Sequence, residues 1–395
     1  MALSKIDVSN MLDETLPVAQ GGTGVTSTPF PSNYSPNLNF RNIIINGDMS
    51  IAQRGTSASS VTSSSYNTVD RWKNLFSSMG TWTISQSTTV PSGQGFATSL
   101  KYDCTTADAS PSAGDNIRFS QNIEGQLLQY LKKGTSNAES LTLSFWVRSN
   151  KTGTYICELY DHENSRQISK SYTISSADTW EKKTLTFAGD TSGTLSNDNS
   201  LRMTCTFFLG AGSNYTSGTL NTSWNSTTTA NRAVGQVNLA DSTSNEWYVT
   251  GIQLEAGTSA SDFEFLPFDV TLARCHRYCY VMGASQNAED QGQFTIGTGM
   301  CRSSGSAIFT DIVGSYPQPL RTLPSLTQVG GSLSDVFCYK TNGTSANPTS
   351  ISVSRNTIAL RLGNNMGLSS GLTAGDATVQ QINETNTNLI FDAEL

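Results

Sequence analysis

Histidine is almost missing from this chain, with only His162 and His276 among 395 residues. Charge is scarce too: Asp, Glu, Lys and Arg make up 14%, and the formal net charge is −7. A mildly acidic surface repels a phosphate backbone, so nucleic acid is not an expected partner. No run approaches the ~20 apolar residues that span a bilayer, and Met1–Leu12 has no apolar run longer than Met1-Ala2-Leu3. Neither membrane insertion nor a secretory leader is expected, and the chain reads as made in a cytoplasm and staying soluble. HExxH, the P-loop and the dinucleotide fingerprint are all absent. Seven cysteines are scattered along the chain (Cys104, Cys157, Cys205, Cys275, Cys279, Cys301, Cys338). Only Cys275 and Cys279 lie close together. Even with His276 between them they lack the fourth ligand of a zinc site. They read as reduced, buried small hydrophobes.

Ser, Thr, Asn and Gly replace the missing charge. These are weak helix formers; Thr suits a pleated surface, and Gly and Asn supply turns. A chain of 395 residues exceeds what one hydrophobic core serves, so two or three units are expected. In residues 1–40, Pro17, Pro29, Pro31 and Pro36 break up regular structure, and Gly21-Gly22-Thr23-Gly24 makes a flexible turn. So apolar-poor a segment orders only when another chain holds it, which is the character of an attachment arm.

Alternation sets in near residue 41. Leu141, Leu143, Phe145 and Val147 share one strand face, and Tyr155, Cys157 and Leu159 repeat the pattern after Lys151-Thr152-Gly153, which predicts a hairpin. Met203, Cys205, Phe207 and Leu209 alternate with Arg202, Thr204, Thr206 and Phe208. Similar runs occupy 80–86, 96–103, 182–187 and 246–254. Leu127, Leu128 and Leu131 share a face ahead of Lys132, Lys133 and Gly134, predicting one short helix. A second short helix is expected over Thr271–Val281. Beyond it, strands are expected at Ser306–Val313, Ser325–Val329, Ile351–Val353, Ile358–Leu362 and Asn388–Asp392. One-sided strands joined by polar loops close into a two-sheet sandwich. The fold class is therefore all-β: a 1–40 arm, a jelly-roll-like sandwich over 41–270, and a short helix with a smaller C-terminal β domain over 271–395.

Catalytic chemistry finds little support. Gly367-Leu368-Ser369-Ser370-Gly371 matches the nucleophile-elbow spacing, but that triad needs a later histidine, and both histidines come earlier. Asp161-His162-Glu163 reads as a solvated hairpin tip. No catalytic residue is assigned and the chain is not expected to be an enzyme. A pair of carboxylates is set by space rather than by spacing, so a polysaccharide-cleaving reading stays open as the rival. Trp224, in the polar loop Asn221–Asn225, is the candidate ligand-binding residue, since a loop indole can stack on a sugar ring and donate its N–H. Trp146 reads as second-layer packing and Trp72 as core.

Three stretches resemble phage tail-fibre and related virion proteins. The first is Leu16-Pro17-Val18-Ala19-Gln20-Gly21-Gly22-Thr23-Gly24. The second is Arg41-Asn42-Ile43-Ile44-Ile45-Asn46-Gly47-Asp48-Met49, continued by Gln53-Arg54-Gly55 and Val69-Asp70-Arg71-Trp72. The third is Gly251–Gly257 followed by Phe263-Glu264-Phe265-Leu266-Pro267 and Cys275-His276-Arg277-Tyr278. Tyr316–Arg321 and Phe391-Asp392-Ala393-Glu394-Leu395 are similar to the ends of such proteins. The resemblance implies a virion component with a carbohydrate-binding-module-like sandwich, commonly a homotrimer. Pro17, Gly21, Gly22, Thr23 and Gly24 would attach it to a tail hub or adaptor. The expected role is a surface-exposed tail fibre that holds host-surface polysaccharide, with a capsid decoration or head fibre, or a depolymerising tailspike, as alternatives. No cofactor is assigned; a structural calcium ion of the kind such modules carry would draw on Asn46, Asp48 and Glu255.

Overall fold

Alternating apolar residues from Ser57 to Ala256 build twelve strands in two stacked antiparallel sheets. The computed structural model describes residues 40–283, 294–301, 310–329, 336–340, 345–346, 359–362, 375, 377–382 and 388–395. The arm with its Pro17 and Gly21–Gly24, the Gly367–Gly371 match and the expected strand at Ile351–Val353 lie outside these residues. In chain order the strands are β1 (Ser57–Val61), β2 (Trp72–Ser77), β3 (Thr81–Ser87), β4 (Ser99–Thr106), β5 (Asn116–Glu124) and β6 (Leu141–Ser149). They continue as β7 (Gly153–Asp161), β8 (Arg166–Ile174), β9 (Glu181–Phe187), β10 (Leu201–Ala211), β11 (Asn225–Ser226) and β12 (Glu246–Ala256). One sheet runs β1-β3-β4-β12-β6-β9 and the other β11-β8-β7-β10-β5-β2. The fold is an all-β, jelly-roll-like sandwich.

Between the sheets lies an aromatic core. Trp72 stacks on Phe119 at 4.3 Å, and Phe207, Tyr102 and Trp247 meet the same ring at 5.8–6.0 Å. All five are essentially inaccessible to solvent. Side chains of this size each stabilise by about 1.5–3 kcal/mol on burial. The indole of Trp72 donates to the Asn46 carbonyl at 3.1 Å, so its polar atom is satisfied inside the core.

The expected hairpin at Lys151-Thr152-Gly153 is instead a corner between sheets. β6 pairs with β12 and β9, whereas β7 pairs with β8 and β10. Two strands facing each other across a sandwich carry the same one-sided alternation as two strands side by side, so the sequence pattern did not separate them. The predicted helix at Leu127–Leu131 is two 3-10 turns, Gly125–Leu127 and Gln129–Leu131, closed by Lys132 in the left-handed region at φ 53°. Leu128 and Leu131 still turn into the core.

Beyond a single turn, α1 (Ser213–Thr216), the second helix is α2 (Phe268–His276), displaced toward the N-terminus from the expected Thr271–Val281. Pro267 precedes it, a residue suited to starting helices because it lacks an N–H. Residues 279–283 form a strand instead, β13 (Cys279–Gly283). Then come β14 (Phe294–Cys301), β15 (Thr310–Ser315), β16 (Ser325–Val329), β17 (Val336–Lys340), β18 (Ser345–Ala346), β19 (Ala359–Leu362), β20 (Ala377–Ile382) and β21 (Asn388–Asp392). They form a three-stranded sheet β13-β21-β16 and a six-stranded sheet β18-β17-β20-β14-β15-β19. Cys104, Cys157, Cys205, Cys275 and Cys279 are buried and unbridged. Among the described residues no helix is long and apolar enough to cross a membrane.

Residues 42–47 extend the edge of β12 that β4 leaves at Val249. Ile43 N–H donates to Leu254, Ile252 N–H donates to Gly47, and the Asn42 amide donates to the Ile252 carbonyl. A Cβ on Gly47 would sit 2.1 Å from the Ile252 oxygen, so only glycine fits this approach. β12 bulges opposite, between Thr250 and Gln253, where Gly251 adopts φ 64°.

Residues 391–395 return to this same region. Arg71, 1% exposed, pairs with Glu394, donates to the Asn122 carbonyl at 2.7 Å and lies 3.4 Å over the Tyr278 ring. Arg54 reaches Asp70, Asp392 and Glu394, while Arg321 donates to the Ala393 and Glu394 carbonyls. Leu395 packs with Ile45, Ile51, Cys275 and Tyr278. Removing one partner of a buried ion pair costs about 3–5 kcal/mol. Glu394→Gln should therefore lower the thermal unfolding midpoint by several degrees in scanning calorimetry; an unchanged midpoint would show that the pair contributes nothing.

Candidate functional site

The outer face of the β7-β10-β5-β2 half of the second sheet carries the candidate site. Inward positions of these strands fill the core, so period-2 geometry turns their neighbours outward. In register, Thr206 of β10 stands opposite Glu158 of β7 and Ser120 of β5, with Lys73 of β2 opposite Ser120. One step along, Thr204 stands between Tyr160 and Asn122. In the other direction, Arg118 stands between Phe208 and Leu75. His162 and Arg232 rise at the margin, enclosing a cleft of about 300 Å³.

Hydrogen bonds fix its floor. His162 Nε2 and Thr204 Oγ1 are 2.6 Å apart, and Thr204 donates to Asn122 Oδ1 at 3.2 Å. The Asn122 amide in turn reaches the Leu395 oxygen at 2.6 Å, tying the floor to the returning C-terminal residues. Arg232 grips Glu158 with two bonds of 2.8 and 2.5 Å and lies 5.0 Å over the Tyr160 ring. Burial works against the charge of Arg232, but the fully buried Glu158 carboxylate overrides it and raises the guanidinium pKa. Arg118 has no such partner. Burial and the neighbouring Arg232 both push its pKa down. Ser120 Oγ, under the cleft, is buried without a hydrogen-bond partner among the described residues.

Asp161-His162-Glu163 is a hairpin tip between β7 and β8, as expected, but its base is not solvated. Asp161 is fully buried, pairs with Lys133 and accepts from the Glu163 and Asn164 amides at 2.9 Å. His162 keeps an exposed edge. Desolvation of the rest of the ring, then repulsion from Arg232, pushes its pKa down to about 4.

Trp224 does not stand free in its loop. Its indole N–H donates to the Ala188 carbonyl at 2.8 Å, its ring packs on the core, and Lys133 lies 5.2 Å from it. That places it behind the β8–β9 margin, outside the residues lining the cleft. Trp146 is half-buried, as second-layer packing requires.

Asn46, Asp48 and Glu255 sit on the opening segment and closing strand but do not fit a calcium shell, which needs about six to eight oxygens. Asn46 spends its amide on Ile51 and Asp70 and its oxygen on the Ile51 N–H. Glu255 accepts from Gln253 and from the Ser261 amide and hydroxyl, while Asp48 accepts from Ser50. No three Asp, Glu, His or Cys side chains gather around a common point among the described residues.

Sequence reasoning passed over the cleft residues Lys73, Arg118, Asn122, Tyr160 and Arg232. The available signal was the run Arg202, Thr204, Thr206, whose alternation is as regular as the apolar one, next to Tyr160 and His162.

No family model matches the chain, and no curated protein matches it. Solved structures with a similar fold include the enzymatically active domain of tailspike protein 4 of bacteriophage CBA120, at 13% identity and TM-score 0.29, covering 55% of this chain and 21% of that one. A putative sugar binding protein from Bacteroides thetaiotaomicron matches at 13% identity and TM-score 0.30, covering 54% and 99%. TmCBM61 in complex with β-1,4-galactotriose matches at 12% identity and TM-score 0.28, covering 55% and 99%. The chain thus spans about a fifth of the tailspike's length. At these scores the likeness carries no functional argument.

Because folding holds the His162 ring neutral, its contribution to stability is present above pH 6.5 and is lost as pH falls toward the depressed folded value. An NMR titration should place its midpoint near 4. A midpoint at the ordinary histidine value would mean that the ring is fully solvated and that the cleft margin is not built as described.

Proposed function

We propose that this chain is a structural protein of a bacteriophage particle, of the tail-fibre kind, whose sandwich adheres to host-surface glycans without cleaving them. The observation that carries the glycan reading is the cleft on the second sheet. It combines an aromatic ring (Tyr160), hydroxyls (Thr204, Thr206), an amide (Asn122) and fixed cations on one rigid surface. Sugar recognition needs this mixture: ring faces for C–H surfaces and convergent polar groups for hydroxyls.

Binding without hydrolysis is favoured by the side-chain inventory. Glycoside cleavage ordinarily uses two carboxylates flanking the bond. The residues lining the cleft supply none, and Glu158 beneath it is committed to Arg232.

The virion reading rests on the sequence stretches that resemble tail-fibre proteins. In it, Pro17, Gly21, Gly22, Thr23 and Gly24 attach the chain to a tail hub or adaptor. Three chains then present three clefts at once, and linked copies raise avidity by roughly 10²–10⁴ over single contacts. A shallow cleft becomes useful in that setting.

Two measurements test this reading. On a bacterial glycan array the full chain should retain a defined subset of glycans, and Tyr160→Ala should lose them while its circular dichroism spectrum still shows the folded sandwich. Retention unaffected by Tyr160→Ala would move the site elsewhere. Antibody raised to the sandwich should label the tail of intact particles and light scattering should give three chains per molecule; labelling of the capsid, or a monomer at high concentration, would contradict the fibre assignment.

A further inference from the structure

We infer that the cleft takes an acidic saccharide, one whose sugar ring carries a carboxylate, with Arg118 and Lys73 as the groups that recognise the charge. This rests on the glycan-binding reading above and gives it a ligand class. The chain as a whole is acidic, at −7, yet the cleft lining contains Lys73, Arg118 and Arg232 and not one Asp or Glu. Positive charge is therefore concentrated on one face against the trend of the molecule.

The three cations are not equivalent. Arg232 is neutralised by the buried Glu158 beneath it. Arg118 and Lys73 have no carboxylate within ion-pair distance among the described residues, unlike Arg41, Arg54, Arg71, Arg148, Arg166, Arg202 and Arg277. Arg274 and Arg321 also lack one, but both donate to backbone carbonyls. Among the described residues Arg118 bonds only through Nε, to Asn116 Oδ1 at 2.8 Å, which leaves its two terminal amino groups without an acceptor there. Its guanidinium lies 5.7 Å from the Phe208 ring and 5.8 Å from the Tyr215 ring, so an aromatic wall holds the fork in place. Among the described residues, the contact recorded for the Lys73 ammonium is the Tyr66 ring, at 5.4 Å.

A partly desolvated guanidinium beside a second one is an unfavourable arrangement in the empty protein. A carboxylate arriving between Arg118 and Lys73 relieves it. The planar acid matches the planar fork and accepts two parallel bonds, while the ammonium adds an undirected attraction. Tyr160, half-buried at the cleft wall, faces the ring that bears the acid, over the floor that Thr204 and Thr206 form. A cleft of about 300 Å³ is at the small end of ligand sites and admits one or two sugar rings rather than a folded polymer.

The test compares three immobilised probes of matched length: an oligogalacturonate, the neutral oligogalactoside, and a sulfated oligosaccharide. A single-stranded oligodeoxynucleotide serves as a non-sugar polyanion. The full chain should bind the oligogalacturonate at least about tenfold tighter than the neutral probe, the loss expected when a charged hydrogen bond is removed. Raising salt should narrow the gap. Arg118→Gln should abolish the preference, and Lys73→Gln, at a side chain that makes no hydrogen bond, should reduce it without touching the fold. Equal binding of acidic and neutral probes would overturn the acidic assignment and leave the glycan reading standing. Equal binding of the oligonucleotide or the sulfated probe would replace it with general polyanion capture. Retention of no glycan of either kind would overturn both.

Discussion

The structure turns on a buried cation. Arg71 sits inside the protein with its guanidinium against the Tyr278 ring, its charge met by Glu394 and one N–H on the Asn122 carbonyl. A desolvated charge is tolerated only when it is paired and hydrogen-bonded, so each of these partners must be in place for the others to be stable. They come from four distant parts of the chain. The strand entry at 70–72, β5, the turn after α2 and the returning residues 391–395 are therefore ordered together. Arg54 repeats the device with Asp70 and Glu394, and Arg321 adds bonds to the Ala393 and Glu394 carbonyls. Even Arg71's own backbone, in the left-handed region at φ 74°, is held by its surroundings and not by preference.

The opening and closing stretches of the sandwich gather around this junction. Asn42 and Gly47 seat the opening segment on β12, Gln53 and Asp70 bind each other beside Cys279, and Glu264 caps the amides of Phe40 and Asn42. These residues build the seam between the sandwich and the C-terminal strands. They are architectural, and none of them lines the cleft on the outer face of the second sheet. The cleft floor is nonetheless anchored to the seam, since Asn122 bonds the Leu395 oxygen while holding Thr204. A rigid junction below thus fixes the geometry of the face above it, which is what a binding surface needs.

Much of the fold was legible in the alternation. Leu201–Leu209, residues 182–187, Ser325–Val329 and Asn388–Asp392 lie in strands where period-2 patterning put them. Pairing was less legible, because alternation states which side of a strand faces the core and not which strand lies beside it. The 141–159 segment shows this: its two strands share a core but not a sheet. The short helices were misplaced because apolar spacing at Leu127–Leu131 and Thr271–Val281 suits a 3-10 turn or a helix-to-strand junction equally well. As for the site, Trp224 lies in a polar loop, and its indole N–H is bonded to the Ala188 carbonyl. Tyr160, Arg118 and Lys73 lie far apart in sequence and share a surface only through the order of four strands, which no local pattern encodes. The calcium candidates Asn46, Asp48 and Glu255 show the same limit. Oxygen-bearing residues on adjacent strands look like ligands until their hydrogen bonds are counted.

The account's central claim is that the outward face of β7, β10, β5 and β2 is where this protein meets a glycan. A crystal structure of the full chain with its tightest array ligand addresses it directly. The account predicts sugar density against Tyr160, Thr204 and Thr206, within hydrogen-bond reach of Arg118. Ordered sugar on the β1-β3-β4-β12-β6-β9 sheet, or on the C-terminal strands with this cleft empty, would contradict it.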